Sequence, residues 1–481
     1  MITAREEVLE GWGMSVRARS WVYRPRDAAE AAEALADARR RGLTIAHRGA
    51  GQSYGDAALN AGGAVLDCSG LGRILAFDRE AGTVRAEAGV TIGQLWEHIL
   101  PAGFWPPVVP GTMAVTIGGA TAMNIHGKNA FRVGPFGEHV EALTLLGPNG
   151  AVCELRREPA GGPVAEWVRA AGAPRAAAES APAAAGRRPL RLADVIGAQG
   201  LNGTILDVTL HLKRVASGFL QVTPAPVRTL GEALALVDEA ARAHDYAVGW
   251  LDCFASGSGL GRGALHWADH LPADHRLAGR GLDPAKQRLP DRIMGIVPKR
   301  HTWRALKPFN NALGMRAMNA VKQLAGVVQG RRPYLQSHAA FHFLLDYVPD
   351  WKRVYRPHGL TQYQLFVPFA DAERVLGEAL RLQQRLGIVS HLAVLKRHRP
   401  DAFASSYAVD GYSLALDFPI RPRRMAAMRS LFEEFDCLLA GCGGRIYAAK
   451  DQVSVGRLPE RRDAAYSTDL SRRWAASPIS P

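Results

Sequence analysis

The chain is poor in the features that mark scaffolds stapled by metals or disulfides. Its 481 residues include five cysteines, Cys68, Cys153, Cys253, Cys437 and Cys442. The number is odd, none falls in a CxxC pair and none stands beside histidines at metal-ligand spacing, which leaves buried reduced thiols and no metal site as the expectation. Long apolar runs are also missing, so no membrane-spanning helix is expected. The start, Met1-Ile2-Thr3-Ala4-Arg5-Glu6-Glu7, has no apolar core of the kind a secretory signal needs, and the expected location is the cytoplasm. Acidic residues are in deficit: 45 Asp and Glu face 59 Lys and Arg, a net charge of +14. Such a field attracts nucleic acid, membrane surfaces and anionic substrates alike. The arginines are scattered among alanines and no nucleic-acid-reading module is recognisable, so no nucleic-acid partner is expected.

What the chain does contain is ordinary globular material, 47% hydrophobic and 22% charged, long enough for two or three domains. Helix and strand signals alternate. Asp27 followed by Glu30 reads as a capping box, and the Ala-rich run to Arg41, stopped by Gly42, as a helix. Leu43 to Ala46 then reads as a short strand. A second unit follows, with Thr83 to Glu87 as strand and Thr91 with Gln94 opening a helix that ends at Pro101. Leu143 to Leu146 and Ala151 to Leu155, joined by Gly147-Pro148-Asn149-Gly150, have the pattern of a hairpin. The fold class is α+β.

The strongest local signal is Arg48-Gly49-Ala50-Gly51-Gln52-Ser53-Tyr54-Gly55-Asp56, followed some sixty residues later by Pro110-Gly111-Thr112, Thr116-Ile117-Gly118-Gly119 and Asn124-Ile125-His126-Gly127-Lys128-Asn129. Glycines at 49, 51 and 55 let successive backbone N–H groups converge on an anion. The two stretches together predict a dinucleotide cradle. The spacing is GxGxxxG and the residues after Tyr54 read as loop instead of helix, which excludes a Rossmann unit.

From about 156 to 190 the composition shifts to Ala, Pro, Gly and Arg, which predicts a flexible surface insert. Thr204 to Leu212, after Gly203, reads as a strand. Residues 216 to 435 read as a second domain, in which Gly257 to Arg304 shows weak periodicity and reads as a mobile loop. It contains the basic stretch Pro298-Lys299-Arg300-His301-Thr302-Trp303-Arg304, a candidate for peripheral contact with the inner face of a membrane.

RGAGQSYGD, the VPGT…TIGGATAMNIHGKN stretch and the late Gly443-Gly444-Arg445-Ile446-Tyr447-Ala448-Ala449-Lys450-Asp451 resemble the vanillyl-alcohol-oxidase-type (PCMH-type) flavoproteins. Within them the chain is most similar to the decaprenylphosphoryl-β-D-ribose oxidase branch. Gly11-Trp12-Gly13, Gln362-Tyr363-Gln364, Leu395-Lys396 and Leu416-Asp417-Phe418-Pro419 also match that branch, whereas the tail departs from it: Tyr466 to Arg473 resembles the family ending with less chain between it and Asp451, which implies a different pocket shape near Lys450. The resemblance implies FAD as cofactor and a bipartite FAD-binding domain of two α/β subdomains over 1–215. An α+β substrate (cap) domain on an antiparallel sheet would cover 216–435, and a segment 436–481 would return to the flavin.

Carried over residue by residue, the resemblance implies that His47, Arg48, Gly49, Ala50, Gly51, Gln52, Ser53, Tyr54, Gly55, Asp56 and Ala57 wrap the FAD pyrophosphate. Gly111, Thr116, Ile117, Gly118, Gly119, Met123, Asn124, Ile125 and His126 would line the cofactor from the other side. Ile205 and Tyr447 would approach the flavin ring. Related oxidases often carry histidine, bonded covalently to the flavin, where this chain has Gln52; glutamine lacks a nucleophilic ring nitrogen, so noncovalent FAD is expected. Ala415 stands where members of the branch carry cysteine.

The resemblance implies oxidation of a secondary hydroxyl, on a sugar or a polyprenyl-phosphate-linked sugar, to a ketone. The flavin accepts the hydride while the protein positions the alcohol and removes its proton. Lys450 is the first candidate for that hydroxyl, as base or as orienting cation. Lys396 and Tyr54 follow as catalytic candidates, with Gln364, Tyr363 and Trp250 as substrate contacts. Two rival readings are an aldonolactone or alditol oxidase acting on small soluble polyols, and a flavin-binding or basic scaffold without turnover.

Overall fold

The computed structural model describes residues 2–157, 165–168, 190–293, 296–447 and 449–450. Three sheets organise it. The first contains Arg5–Glu10, Arg17–Tyr23, Ala64–Asp67 and Ile45–Arg48, in that order across the sheet. Its first pair is antiparallel and the other two pairs are parallel. The helix Ala28–Arg40 makes the crossover. Asp27 caps it by accepting from the Glu30 N–H at 2.9 Å, and the Glu30 carboxylate reaches back to the Arg26 N–H instead of that of Asp27. At its other end the N–H groups of Gly42 and Leu43 bond back to the carbonyls of Arg39 and Ala38. That C-terminal motif uses up Leu43, so the strand begins at Ile45, two residues later than the sequence predicts.

The second sheet is antiparallel throughout, in the order Ala165–Val168, Val152–Arg156, Val140–Leu146, Thr204–His211, Thr83–Glu87, Ile74–Asp78. Val140–Leu146 and Val152–Arg156 form the expected hairpin. The helix Ile92–Ile99 starts on a complete Thr91/Gln94 capping box and buries Leu95, Trp96 and Ile99 in the core beneath this sheet. Of the Ala/Pro-rich insert, Ala165–Val168 adds an edge strand; 158–164 and 169–189 lie outside the described residues, as do Asp451 and the tail Tyr466 to Arg473.

The third sheet has eight antiparallel strands, in the order Tyr334–Ser337, Phe219–Val227, Gly263–His270, Tyr246–Leu251, Leu392–His398, Gly411–Pro419, Leu360–Pro368, Arg445–Ile446. The helices Leu230–Ala243, Ala372–Arg385 and Met425–Cys442 supply the core packed on one of its faces, where Tyr363, Leu365, Leu395, Leu414 and Leu416 are buried. Because side chains alternate along a strand, Gln362, Gln364, Val394, Lys396, Ser413 and Ala415 belong to the other face.

Three sequence expectations are corrected here. Gly263–His270, inside the supposed mobile loop, is an interior strand paired on both sides; His266 and Trp267 break the apolar alternation that would have announced it. The basic stretch at 298–304 is largely helical, Lys299–Leu306, with Lys299 and Thr302 buried and the Lys299 ammonium 3.9 Å from the Tyr347 ring centroid. The boundary expected at 435 falls within the continuous helix Met425–Cys442, whose Leu439 shares the core of the third sheet. Among the described residues no helix is long and apolar enough to cross a membrane.

Candidate functional site

A cavity of about 850 Å³ lies between the open face of the third sheet and the glycine-rich segments carried by the first two. The cradle forms one end of it. Strand Ile45–Arg48 delivers the chain into the loop, and His47 Nε2 lies 2.8 Å from Thr204 Oγ1, tying the first sheet to the second. The back of the loop is held by Trp12 and Gly13, whose N–H groups donate to the carbonyls of Ser53 and Tyr54 at 2.9 Å each. Gly51 sits at φ +64°, open to glycine at little cost.

Gly49 joins the two motifs. A Cβ there would lie 2.1 Å from Thr116 Oγ1, and that same oxygen accepts from the Gly119 N–H at the start of the helix Ile117–Ala122. The loop and the helix start therefore meet without an intervening side chain.

Of the expected cofactor residues, His47 through Tyr54, Ala57, Gly111, Thr116, Gly118, Gly119, Met123, Ile125, His126, Ile205 and Tyr447 line the cavity. Gly55, Asp56, Ile117 and Asn124 do not. Ile117 is fully buried in the core, and Asn124 uses its side-chain oxygen to accept from the Gly137 N–H at 2.8 Å.

Lys450, Lys396, Tyr54, Gln364 and Trp250 line the same cavity. Tyr363 does not: it shares the helix-covered face, packs against Phe432 and Phe435 and donates to Asp436. Alternation along Leu360–Pro368 makes Gln362 the second pocket residue of that strand, and its amide is held by the buried Asp417 carboxylate. Burial raises Asp417 to about 6, against the pull of Gln362 and Lys450. Parity would have identified Gln362 once the strand was placed.

The polar centre is His126. Lys396 Nζ lies 3.3 Å from its Nδ1 and the Gln364 amide 3.0 Å from its Nε2. As an ammonium Lys396 can only donate, so Nδ1 accepts and Nε2 carries the proton; the Gln364 amide, whose nitrogen faces Nε2 in the structure, pairs with that tautomer once it is flipped end for end. Burial, then the neighbouring Lys396, His398 and Lys450, hold the imidazole neutral. Lys396 is reachable from the cavity yet enclosed by protein; that enclosure, with the charge of Lys450, lowers its pKa to about 7. Lys450 reaches in from beyond Tyr447, with Nζ 4.4 Å from the Tyr54 ring centroid, and Tyr447 donates to the Met123 carbonyl at 3.0 Å.

Other cationic and imidazole groups of the wall carried no individual sequence signal. Lys128 donates to the Phe341 and His342 carbonyls at 2.7 and 2.9 Å, Lys322 lies 3.9 Å from the Trp250 ring centroid, and His266 and His342 stand nearby. Lys128 sits in the NIHGKN stretch, where its neighbour His126 drew the attention. Among the described residues no aspartate or glutamate lines the cavity. A glycine cradle beside Arg48, in a cavity whose described lining has cations and no carboxylate, fits the dianionic pyrophosphate of FAD. Among the described residues no cluster could hold a metal ion, and all five cysteines are free.

Comparison with known proteins adds the lineage. Residues 20–156 match the family described as FAD binding domain. Over 490 aligned residues the chain is 30% identical to decaprenylphosphoryl-β-D-ribose oxidase of Mycolicibacterium smegmatis, covering 97% of this chain and 96% of that protein. A shorter similarity, 30% over 143 residues, links it to L-gulono-1,4-lactone dehydrogenase of Mycobacterium tuberculosis, 30% of this chain and 33% of the other. D-lactate dehydrogenase of Anaerostipes hadrus is 30% identical over 94 residues, 20% of each chain.

Proposed function

The chain belongs to the family of FAD-dependent oxidoreductases that includes decaprenylphosphoryl-β-D-ribose oxidase, and from that premise we propose that it oxidises a secondary hydroxyl of a polyprenyl-phosphate-linked sugar to a ketone. The observation that carries the reading is the composition of the cavity wall: donors and cations surround the space in front of the glycine cradle, with no carboxylate among the described lining residues. In this reading 1–215 binds FAD through the first two sheets, with the third sheet as cap. The 436–450 stretch is continuous with the cap and brings Tyr447 and Lys450 to the site.

When bound, FAD supplies the acceptor for the hydride leaving the carbinol carbon. The chain's own residues do the rest. Gln362 and Gln364, fixed by Asp417 and His126, present amides to the sugar hydroxyls. Lys450 contacts the reacting hydroxyl as a cation. Lys396, with its amine poised near neutrality, takes the hydroxyl proton at Nζ, while neutral His126 accepts from that amine at Nδ1 and fixes its direction. Lys128 and Lys322 face the substrate phosphate. Leu306, Met318, Leu344 and Val348 give the same cavity an apolar flank for a prenyl chain.

The rival, a lactone or polyol oxidase, draws on the lactone dehydrogenase similarity, but that covers 30% of the chain against 97% for the ribose oxidase, and small neutral polyols bring no negative charge to the cationic wall. Anaerobic titration of the flavin's visible absorbance separates them. Bleaching by a polyprenyl-phospho-pentose, and none by alditols or aldonolactones, is expected; the reverse pattern overturns the proposal.

A further inference from the structure

The helix Ala312–Gln329 is built inside out. Asn319 is its buried residue and donates to the Asp252 carboxylate at 2.7 Å, while Gln323 donates to the Val227 carbonyl at 3.3 Å. Its polar side chains thus meet the third sheet. Aliphatic side chains occupy the opposite side: Leu313, Val321, Leu324, Val327 and Val328 are 79%, 69%, 65%, 58% and 74% exposed. The spacing of 313, 317, 321, 324 and 328 makes one continuous stripe, with Ala317 filling the remaining place. A soluble monomer rarely leaves such a stripe uncovered.

The charge around it selects the occupant. From 292 to 345 the chain has nine Lys and Arg and no Asp or Glu. Arg300, Arg304, Lys307, Arg316, Arg331 and Arg332 are all exposed. An aliphatic stripe in a field of cations matches the interface of an anionic bilayer, where the stripe sits among acyl chains and the cations among headgroups. A second copy of this chain would bring the same positive field against itself. The helix also contributes Met318 and Lys322 to the cavity wall, so the surface adjoins the site.

We propose that the Ala312–Gln329 helix lies in the plane of an anionic membrane and docks the enzyme there, with the cavity opening beside the lipid. The test is co-sedimentation of the flavin-loaded full chain with substrate-free vesicles of equimolar phosphatidylglycerol and phosphatidylcholine, so its outcome is independent of what the enzyme oxidises. Binding is expected to these vesicles and to be weaker on phosphatidylcholine alone. A Val321→Glu/Leu324→Glu variant is expected to lose roughly tenfold or more in partitioning while keeping its flavin content and melting temperature. Arg316→Glu/Arg331→Glu/Arg332→Glu is expected to weaken binding in low salt and to show little salt dependence in what remains. The proposal is overturned if the wild type stays in the supernatant, binds phosphatidylcholine equally well or partitions no better than the glutamate variant. It is equally overturned if the stripe proves to close a homodimer that the glutamate variant dissolves.

Discussion

At the scale of single residues, the centre of the proposed chemistry is a lysine whose charge is costly to keep. Lys396 is enclosed and faces Lys450, which lowers its pKa to about 7. Its amine is neutral above that point and protonated below it. If Lys396 takes the substrate proton, the rate of anaerobic flavin reduction rises with pH through about 7 and levels off above. Lys396→Gln should remove this limb and slow reduction by about two orders of magnitude; a profile unchanged in the variant would remove Lys396 from the chemistry. Gln52 makes a second residue-scale prediction. It lines the cavity and donates to the Ala50 carbonyl at 3.2 Å, and with no nucleophilic nitrogen to offer it should leave FAD noncovalent. Acid precipitation of the purified protein should therefore release all the yellow colour to the supernatant.

At the scale of elements, the meeting of loop and helix start at Gly49 is the most sensitive point. Gly49→Ala would drive its methyl into Thr116 Oγ1 and break the Thr116 cap, a loss of about 1 kcal/mol before any effect on the cofactor. The variant is expected to purify with substoichiometric flavin, read from the ratio of visible to ultraviolet absorbance. Much at this scale was legible. The Asp27 cap, the Thr91/Gln94 capping box, the 147–150 turn and the glycine cradle are local events, set by residues three or four positions apart, and short-range chemistry announces them. What escaped is long-range. Gly263–His270 is a strand because two partners hydrogen-bond to it, and its own sequence does not say so. Tyr363 and Gln364 differ in role by parity alone, which has meaning only once the strand is in its sheet. Lys322 and His342 reach the cavity from segments without a motif.

At the scale of the whole molecule, the positive charge noted at the outset is not spread evenly. Part of it lines the cavity and part surrounds the stripe on the Ala312–Gln329 helix, and the scattered arginines of the composition concealed both. The third sheet shows how such a molecule can change its diet. In the central strands Tyr246–Leu251, Leu392–His398, Gly411–Pro419 and Leu360–Pro368 one side is committed to the oil beneath the helices and the other to the cavity, so Gln364, Ser413 or Ala415 can be exchanged without touching Leu365, Leu414 or Leu416. Substitutions recode the pocket while the scaffold keeps its packing. Insertions do not: one added residue in Leu360–Pro368 would send Tyr363 into the pocket and Gln364 into the oil. Descendants of this fold are thus free to alter what they oxidise by point change, and are barred from doing so by slippage.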